Sequence, residues 1–167
     1  MSHEPHEPHE QPHVPTGLII VDHGSRRSQS NDLLVTVAEN YRRYSGWQIV
    51  EPAHMELEPP TISQAFQRCV DQGAEFVVVF PFFLGPGRHW TEDIPRLAAE
   101  AAQPFIGRGV RYVVTAPLGT HMRISEIIDD TIWQCMAHAE GWICEPCPAC
   151  LDAEGCKYLP PLASPGK

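Results

Sequence analysis

Hydrophobic positions along the chain alternate between two periods. Leu18 to Val21, Phe76 to Phe80 and Tyr112 to Thr115 are short apolar runs rich in β-branched residues, as strands covered on both faces are. Trp47 to Glu56 is a fourth strand candidate with weaker alternation. Between and after these runs, apolar residues recur at i, i+3 and i+4. The sets are Leu34, Val37, Ala38 and Tyr41; Ile62, Ala65, Phe66, Cys69 and Val70; Ile94, Leu97, Ala98 and Ala101; and Ile124, Ile127, Ile128, Ile132 and Cys135. Each set makes one stripe down a helix. Thr61 followed by Gln64 has the form of a capping box, and Thr91 ahead of Glu92 and Asp93 predicts a helix start whose acids face the positive end of the dipole. The order βαβαβαβα predicts an α/β fold, a parallel four-stranded sheet with helices on both faces.

The periodicity stops at both ends. Residues 2 to 15 repeat His-Glu-Pro in near-perfect register, with His3, His6, His9 and His13, and prolines so placed predict a disordered or polyproline-like segment over 1–16. One α/β domain is expected over 17–142, followed by a cysteine-rich segment and proline-rich tail over 143–167. No apolar run approaches the ~20 residues of a membrane-spanning helix, so no membrane partner is expected. The first sixteen residues lack the positive and apolar regions of a secretory signal, which predicts a cytoplasmic protein.

In parallel sheets ligands bind at the carboxyl ends of the strands, where loops vary without disturbing the core. The first strand ends at Asp22-His23-Gly24-Ser25-Arg26-Arg27, the second at His54-Met55-Glu56, the third runs into Gly85-Pro86-Gly87-Arg88-His89, and the fourth reaches Pro117-Leu118-Gly119-Thr120-His121. His23 and His89 follow strands directly and sit among glycines that let a ligand approach the backbone. Two neutral imidazoles on one rim bind a borderline divalent metal or take protons near neutral pH, whereas either alone reads equally well as a loop cap. Glu56 is a carboxylate at the second tip, able to join them on a metal or act as a base, or else simply an exposed acid. His54 shares its face by parity and is a weaker candidate, Asp22 is placed to orient His23 if it points the same way, and His121 is either a ligand contact or a support for the following helix.

Charge narrows the ligand. Twelve Lys and Arg stand against 21 Asp and Glu, a formal net charge of -9, and the only lysines are Lys157 and Lys167. No extended nucleic-acid surface is expected from that balance. Arg26, Arg27 and Arg88 nevertheless sit beside the strand tips, a local placement that suits an acidic ligand, with solvated surface arginine as the plain alternative. The first strand is followed by no Gly-x-Gly-x-x-Gly or phosphate-binding loop, and Ser25 lacks the Gly-x-Ser-x-Gly elbow, so nucleotide binding and serine hydrolysis are both poorly supported.

The cysteines are a separate signal. Six of them in a chain expected in a reducing compartment read as thiols or metal ligands rather than disulfides. Cys144, Cys147, Cys150 and Cys156 are spaced so that thiolates can converge on an iron-sulfur cluster or on zinc, or remain free. Cys69 and Cys135 fall on helical apolar stripes and read as core residues.

Val21 to Arg26, Glu56-Leu57-Glu58-Pro59, Val79 to Gly87 with His89 and Asp93-Ile94-Pro95, and then Pro117-Leu118-Gly119 occur in an order that resembles the sirohydrochlorin chelatases of the CbiX type, over about residues 17 to 140. These are class II tetrapyrrole chelatases, related to the anaerobic cobaltochelatases. The resemblance implies ATP-independent insertion of Co2+ or Fe2+ into sirohydrochlorin, on the way to cobalamin or siroheme. It places the family's paired histidines on His23 and His89 and its strand-end glutamate on Glu56. The histidines would hold the metal and help remove the two pyrrole protons, while Glu56 would complete the metal site or accept a proton. Ser25, Arg26, Arg27, Arg88 and His121 would then meet the substrate's carboxylates. Asp22 and His54 stand where the family more often has a small and an apolar residue.

Many such chelatases have two α/β halves facing each other. This chain has residues for one, so it resembles the short form, which implies a homodimer. Some longer relatives carry a C-terminal cysteine motif with an iron-sulfur cluster, to which the Cys144 to Cys156 group is similar. A second reading is a metal-binding or redox carrier or sensor that uses the cysteine cluster and the histidine-rich start on a chelatase-like scaffold. Phe82-Phe83-Leu84 is an apolar stretch that lines a macrocycle pocket, forms a dimer surface or packs in the core.

Overall fold

A computed structural model describes residues 14–85, 87–119 and 121–139. The His-Glu-Pro repeat up to His13 and the Cys144 to Cys156 group lie outside the described residues. Strand β1 (Thr16–Asp22) is the centre of the sheet. It pairs in parallel with β2 (Ile49–His54) on one side and β3 (Phe76–Pro81) on the other, and β4 (Arg111–Val114) adds to β3, giving the order β2-β1-β3-β4. The fold is α/β with helices on both faces, as the alternating periods predict.

Side chains of β1 divide between two cores because successive residues point to opposite faces. Ile19 and Val21, both fully buried, join β3 residues Val77 and Val79 under α2 (Ile62–Asp71) and α3 (Ile94–Ile106). Leu18 and Ile20 pack instead with Leu34 and Ala38 of α1 (Ser28–Ser45). On the larger face Phe66 stacks on Phe105 at 5.6 Å and meets Tyr112 edge-on at 6.2 Å, which ties α2, α3 and β4 together. The predicted capping box starts α2: the Gln64 N–H donates to Thr61 Oγ1 at 3.3 Å, and the Thr61 N–H donates to Gln64 Oε1 at 2.9 Å.

Helix α1 leads from β1 to β2 on one face, while α2 and α3 lead onward to β3 and β4 on the other. The direction of winding therefore reverses between β1 and β3, the place at the carboxyl edge of a parallel sheet where ligands are expected to bind. From Thr120 the chain forms a second compact unit, described by itself. It holds α4 (Met122–Ala139), whose start is supported by the Arg123 N–H donating to His121 Nδ1 at 3.2 Å. Among the described residues, no helix is long and apolar enough to cross a membrane.

Three sequence expectations are corrected. The second strand is shorter than Trp47 to Glu56. Trp47 packs against the smaller core before β2 begins, and Glu56 lies beyond the strand's end, because the backbone turns toward the Pro59-Pro60 loop after His54. Thr91 does not cap α3. A π turn over His89–Asp93 runs directly into the helix, and the Thr91 hydroxyl donates to the Gly87 carbonyl at 3.2 Å. The Phe82-Phe83-Leu84 stretch divides: Phe82 packs on the smaller core, Phe83 on the larger, and only Leu84 is exposed.

Hydrogen bonds beyond the strand ends hold the tips together. The Met55 N–H donates to the Asp22 carbonyl at 2.8 Å, the Glu56 N–H to the His23 carbonyl at 3.2 Å, and the Phe82 N–H to the Val21 carbonyl at 2.7 Å. Gly24 turns the β1 tip with φ 86°, and its own N–H donates to Asp22 Oδ1 at 2.9 Å. A Cβ at Gly24 would lie 2.1 Å from the Glu56 carbonyl oxygen, so neither the conformation nor the space admits a side chain. Gly24→Ala should therefore lose at least ~2 kcal/mol in a urea unfolding titration, the cost of a strained backbone plus displacement of the β2 tip.

Deep in the sheet, Gly17 and Cys69 are in contact: a Cβ at Gly17 would lie 2.9 Å from Cys69 Sγ. Burial pushes the Cys69 thiol up from an ordinary 9.0 to about 12, and the Glu51 carboxylate adds to the rise. The unfolded chain releases that proton above about pH 9 while the folded chain keeps it, so stability falls as pH rises through that window. Unfolding free energies measured from about pH 8.5 to about pH 11 should decline more steeply for the wild type than for Cys69→Ala, by up to ~1.4 kcal/mol per pH unit.

Candidate active site

His23 is the first residue after β1, and His89 opens the π turn that follows the β3 loop, so the two stand on either side of the winding reversal. Their rings meet edge to face with centroids 5.0 Å apart. Glu56 approaches His23 from the β2 tip, its Oε1 3.0 Å from His23 Nε2. The other His23 nitrogen, Nδ1, is 3.3 Å from the Gly24 carbonyl. On the far side, His89 Nδ1 lies 3.0 Å from Asp93 Oδ2. That hydrogen bond places the proton on Nδ1 and leaves the lone pair on Nε2, the arrangement in which a carboxylate orients a metal-binding imidazole.

All three side chains remain about half exposed: 40% for His23, 52% for Glu56 and 48% for His89. An exposed pair contributes only about 0–1 kcal/mol to stability. The fold gains little from bringing these groups together. Among the described residues no group of three His, Cys, Asp or Glu side chains closes on one point as a resident metal ion requires. What the arrangement offers is an open set of exchangeable donors, two imidazoles and a carboxylate, each able to trade a proton for a cation.

A second layer lies beneath. Asp22 does not orient His23; its Oδ1 accepts from His54 Nδ1 at 2.6 Å as well as from the Gly24 N–H. His54 correspondingly is not on the rim but 1% exposed. Asp22 turns the other way because alternate strand residues face opposite sides. This pair joins the β1 and β2 tips directly under His23 and Glu56.

The remaining candidates are placed as follows. Ser25 is engaged with its own loop: its N–H donates to Asn31 Oδ1 at 2.9 Å, its carbonyl accepts from Asn31 Nδ2 at 2.8 Å, and its Oγ accepts the Arg27 N–H at 3.0 Å. Arg26 lines a cavity of about 240 Å3 with Ser28, Asn31, His54 and Glu58. Arg27 is exposed just ahead of α1. Arg88 lies along its own helix, 3.2 Å from Glu92. His121 belongs to the separate C-terminal unit.

Sequence reasoning missed two supports. Asp93 orients His89 from one turn away, and the i, i+4 spacing within a helical stretch is the signal that would have found it. Asn31 is 8% exposed on an otherwise polar stretch of α1 and holds the His23 loop through Ser25; no pattern in the sequence marks it.

Comparison with known proteins gives a consistent answer. The CbiX family model matches residues 17–135. The sirohydrochlorin ferrochelatase of Arabidopsis thaliana chloroplasts is 50% identical over 141 residues, which span 84% of this chain and 61% of the plant protein. The chain thus covers less than two thirds of that relative's length. Among solved structures, a cobalamin-biosynthesis CbiX protein from Marinobacter aquaeolei superposes with a TM-score of 0.62 at 26% identity, over 73% of this chain and 98% of that one. The sirohydrochlorin chelatase SirB of Bacillus subtilis subspecies spizizenii, solved in complex with cobalt, superposes with a TM-score of 0.58 at 27% identity, over 77% of this chain and 50% of that one. The matched span contains the sheet, its winding reversal and all three side chains that meet there, and the chain belongs to the CbiX family.

Proposed function

We propose that this protein inserts a divalent metal, Co2+ or Fe2+, into sirohydrochlorin without ATP. The observation that carries the reading is the meeting of His23, His89 and Glu56 at the winding reversal of the sheet. The names of the relatives support the substrate, and between them they cover both metals. The metal is a substrate here, so a half-exposed donor set that releases it suits the task better than a closed site.

In this reading the cation displaces whatever proton His23 Nε2 or Glu56 Oε1 carries when it takes those atoms. His89 Nε2, its lone pair held outward by Asp93, is the third donor or the first base. As the metal passes to the macrocycle, two pyrrole N–H protons must leave, and the vacated His and Glu positions accept them. Each transfer exchanges protons for a cation, so the site never holds a large unbalanced charge. Arg26 and Arg27, with Ser25 and Arg88 along the same edge, are the partners for the substrate's carboxylates.

A homodimer, implied by the resemblance to the short-form chelatases, is part of this proposal. A cytoplasmic location is kept as part of this proposal. No observation favours the carrier or sensor reading, since the Cys144 to Cys156 group on which it rests lies outside the described residues.

Anaerobic protein mixed with sirohydrochlorin and either Co2+ or Fe2+ should accelerate the change in tetrapyrrole absorption over a protein-free control. His89→Ala should lower that rate by about 10²-fold or more, as loss of a positioned base and ligand does. Rates equal to the control with both metals would sink the chelatase reading. Sedimentation of the active protein should give a mass near twice that of the chain, and a fully active monomer would remove the dimer.

A further inference from the structure

Two exposed leucines stand on the tips that flank His23. Leu57 follows Glu56 on the β2 tip and is 52% exposed; Leu84 lies on the β3 loop ahead of His89 and is 69% exposed. The order β2-β1-β3 places them on opposite sides of the β1 tip. A single exposed leucine on a protein surface is ordinary and argues for nothing. Leu57 differs because of its backbone. Its φ is 71°, and it is the only residue other than glycine with positive φ among the described residues. The Glu58 N–H donates to the Glu56 carbonyl at 2.9 Å, closing a γ turn with Leu57 at its apex.

Glycine or asparagine would hold that turn with less strain, and either would hide no apolar surface from water. The chain instead displays a branched aliphatic side chain at a costly position, next to the proposed metal-binding carboxylate and half open to water. We propose that Leu57 and Leu84 are substrate-contacting residues, a pair of apolar supports that hold the flat face of the tetrapyrrole over the His23, His89 and Glu56 set. This rests on the chelatase reading and adds to it a division of labour. Aliphatic contacts beside the donors carry the macrocycle's face, while the arginines along the edge meet its carboxylates.

The test separates tetrapyrrole from metal. Leu57→Asn keeps the number and branching of the side-chain heavy atoms, tolerates positive φ and removes the apolar surface; Leu57→Gly also relieves the turn; Leu84→Asn probes the other tip. Binding of metal-free sirohydrochlorin, followed by absorbance titration, should weaken about tenfold in each variant, as expected from the loss of one partly buried leucine contact. The KM for the tetrapyrrole should rise in parallel, with kcat and the KM for Co2+ within about twofold of wild type. Leu57→Gly should at the same time withstand urea at least as well as wild type. Weaker substrate binding without weaker folding is not the result of a merely structural role.

Wild-type affinity retained in the Leu57 variants and in Leu84→Asn would overturn the inference. So would a rise in the metal KM equal to the rise for the tetrapyrrole. A wild type that binds sirohydrochlorin but inserts no metal sinks the chelatase reading alone, and the same titrations then decide the leucines. A wild type that binds no tetrapyrrole overturns both.

Discussion

The close approach of Gly24 to the Glu56 carbonyl is the constraint on which the site depends. With no side chain at Gly24, the tips of β1 and β2 lie against each other, and the ladder of hydrogen bonds continues past the ends of both strands. His23 and Glu56 consequently leave the sheet side by side and meet at 3.0 Å. Asp22 reinforces the same junction from below, because one carboxylate oxygen serves both the Gly24 N–H and the buried His54 ring. The sheet order supplies the rest. Since β1 lies between β2 and β3, the only strand loops that can converge on the His23 tip are those carrying Glu56 and His89.

Charge and openness fit the proposed exchange. A formal net charge of -9 would repel a polycarboxylate at long range, so the arginines at the rim must act locally, through hydrogen bonds rather than through the field of the whole protein. The donors themselves are half exposed, so a cation need not shed all its water to reach them. The same exposure weakens their hold on it.

Much of this was legible in the sequence because it follows from periodicity. The four strands and four helices, the capping box at Thr61 and the placing of His23, Glu56 and His89 at one edge all rest on spacing and on the parallel-sheet rule. What escaped were matters of a few degrees or a single register step. The π turn at His89 adds one residue to a helical turn, and an i to i+4 carboxylate in a stretch read as loop does not register as a partner. Asp22 faces away from its sequence neighbour and pairs with a residue 32 positions on, a contact created by strand register alone. Asn31 acts through two backbone groups of Ser25, and its amide leaves no pattern in composition. The positive φ of Leu57 is equally silent, because leucine is the last residue that turn chemistry would select there.

The strained turn and the open donor set are two consequences of one requirement. A protein acting as proposed must bind its metal weakly enough to give it up and its macrocycle closely enough to receive it. Adding fixed ligands would deepen the metal site and slow the transfer. Precision must therefore come from the backbone that aims the few donors present: Gly24 in a conformation only glycine holds well, Asp93 fixing the ring of His89, and the turn at Leu57, in which the Glu58 N–H holds the Glu56 carbonyl. Rigid supports under exchangeable side chains keep the donors in place while protons and metal change places on them.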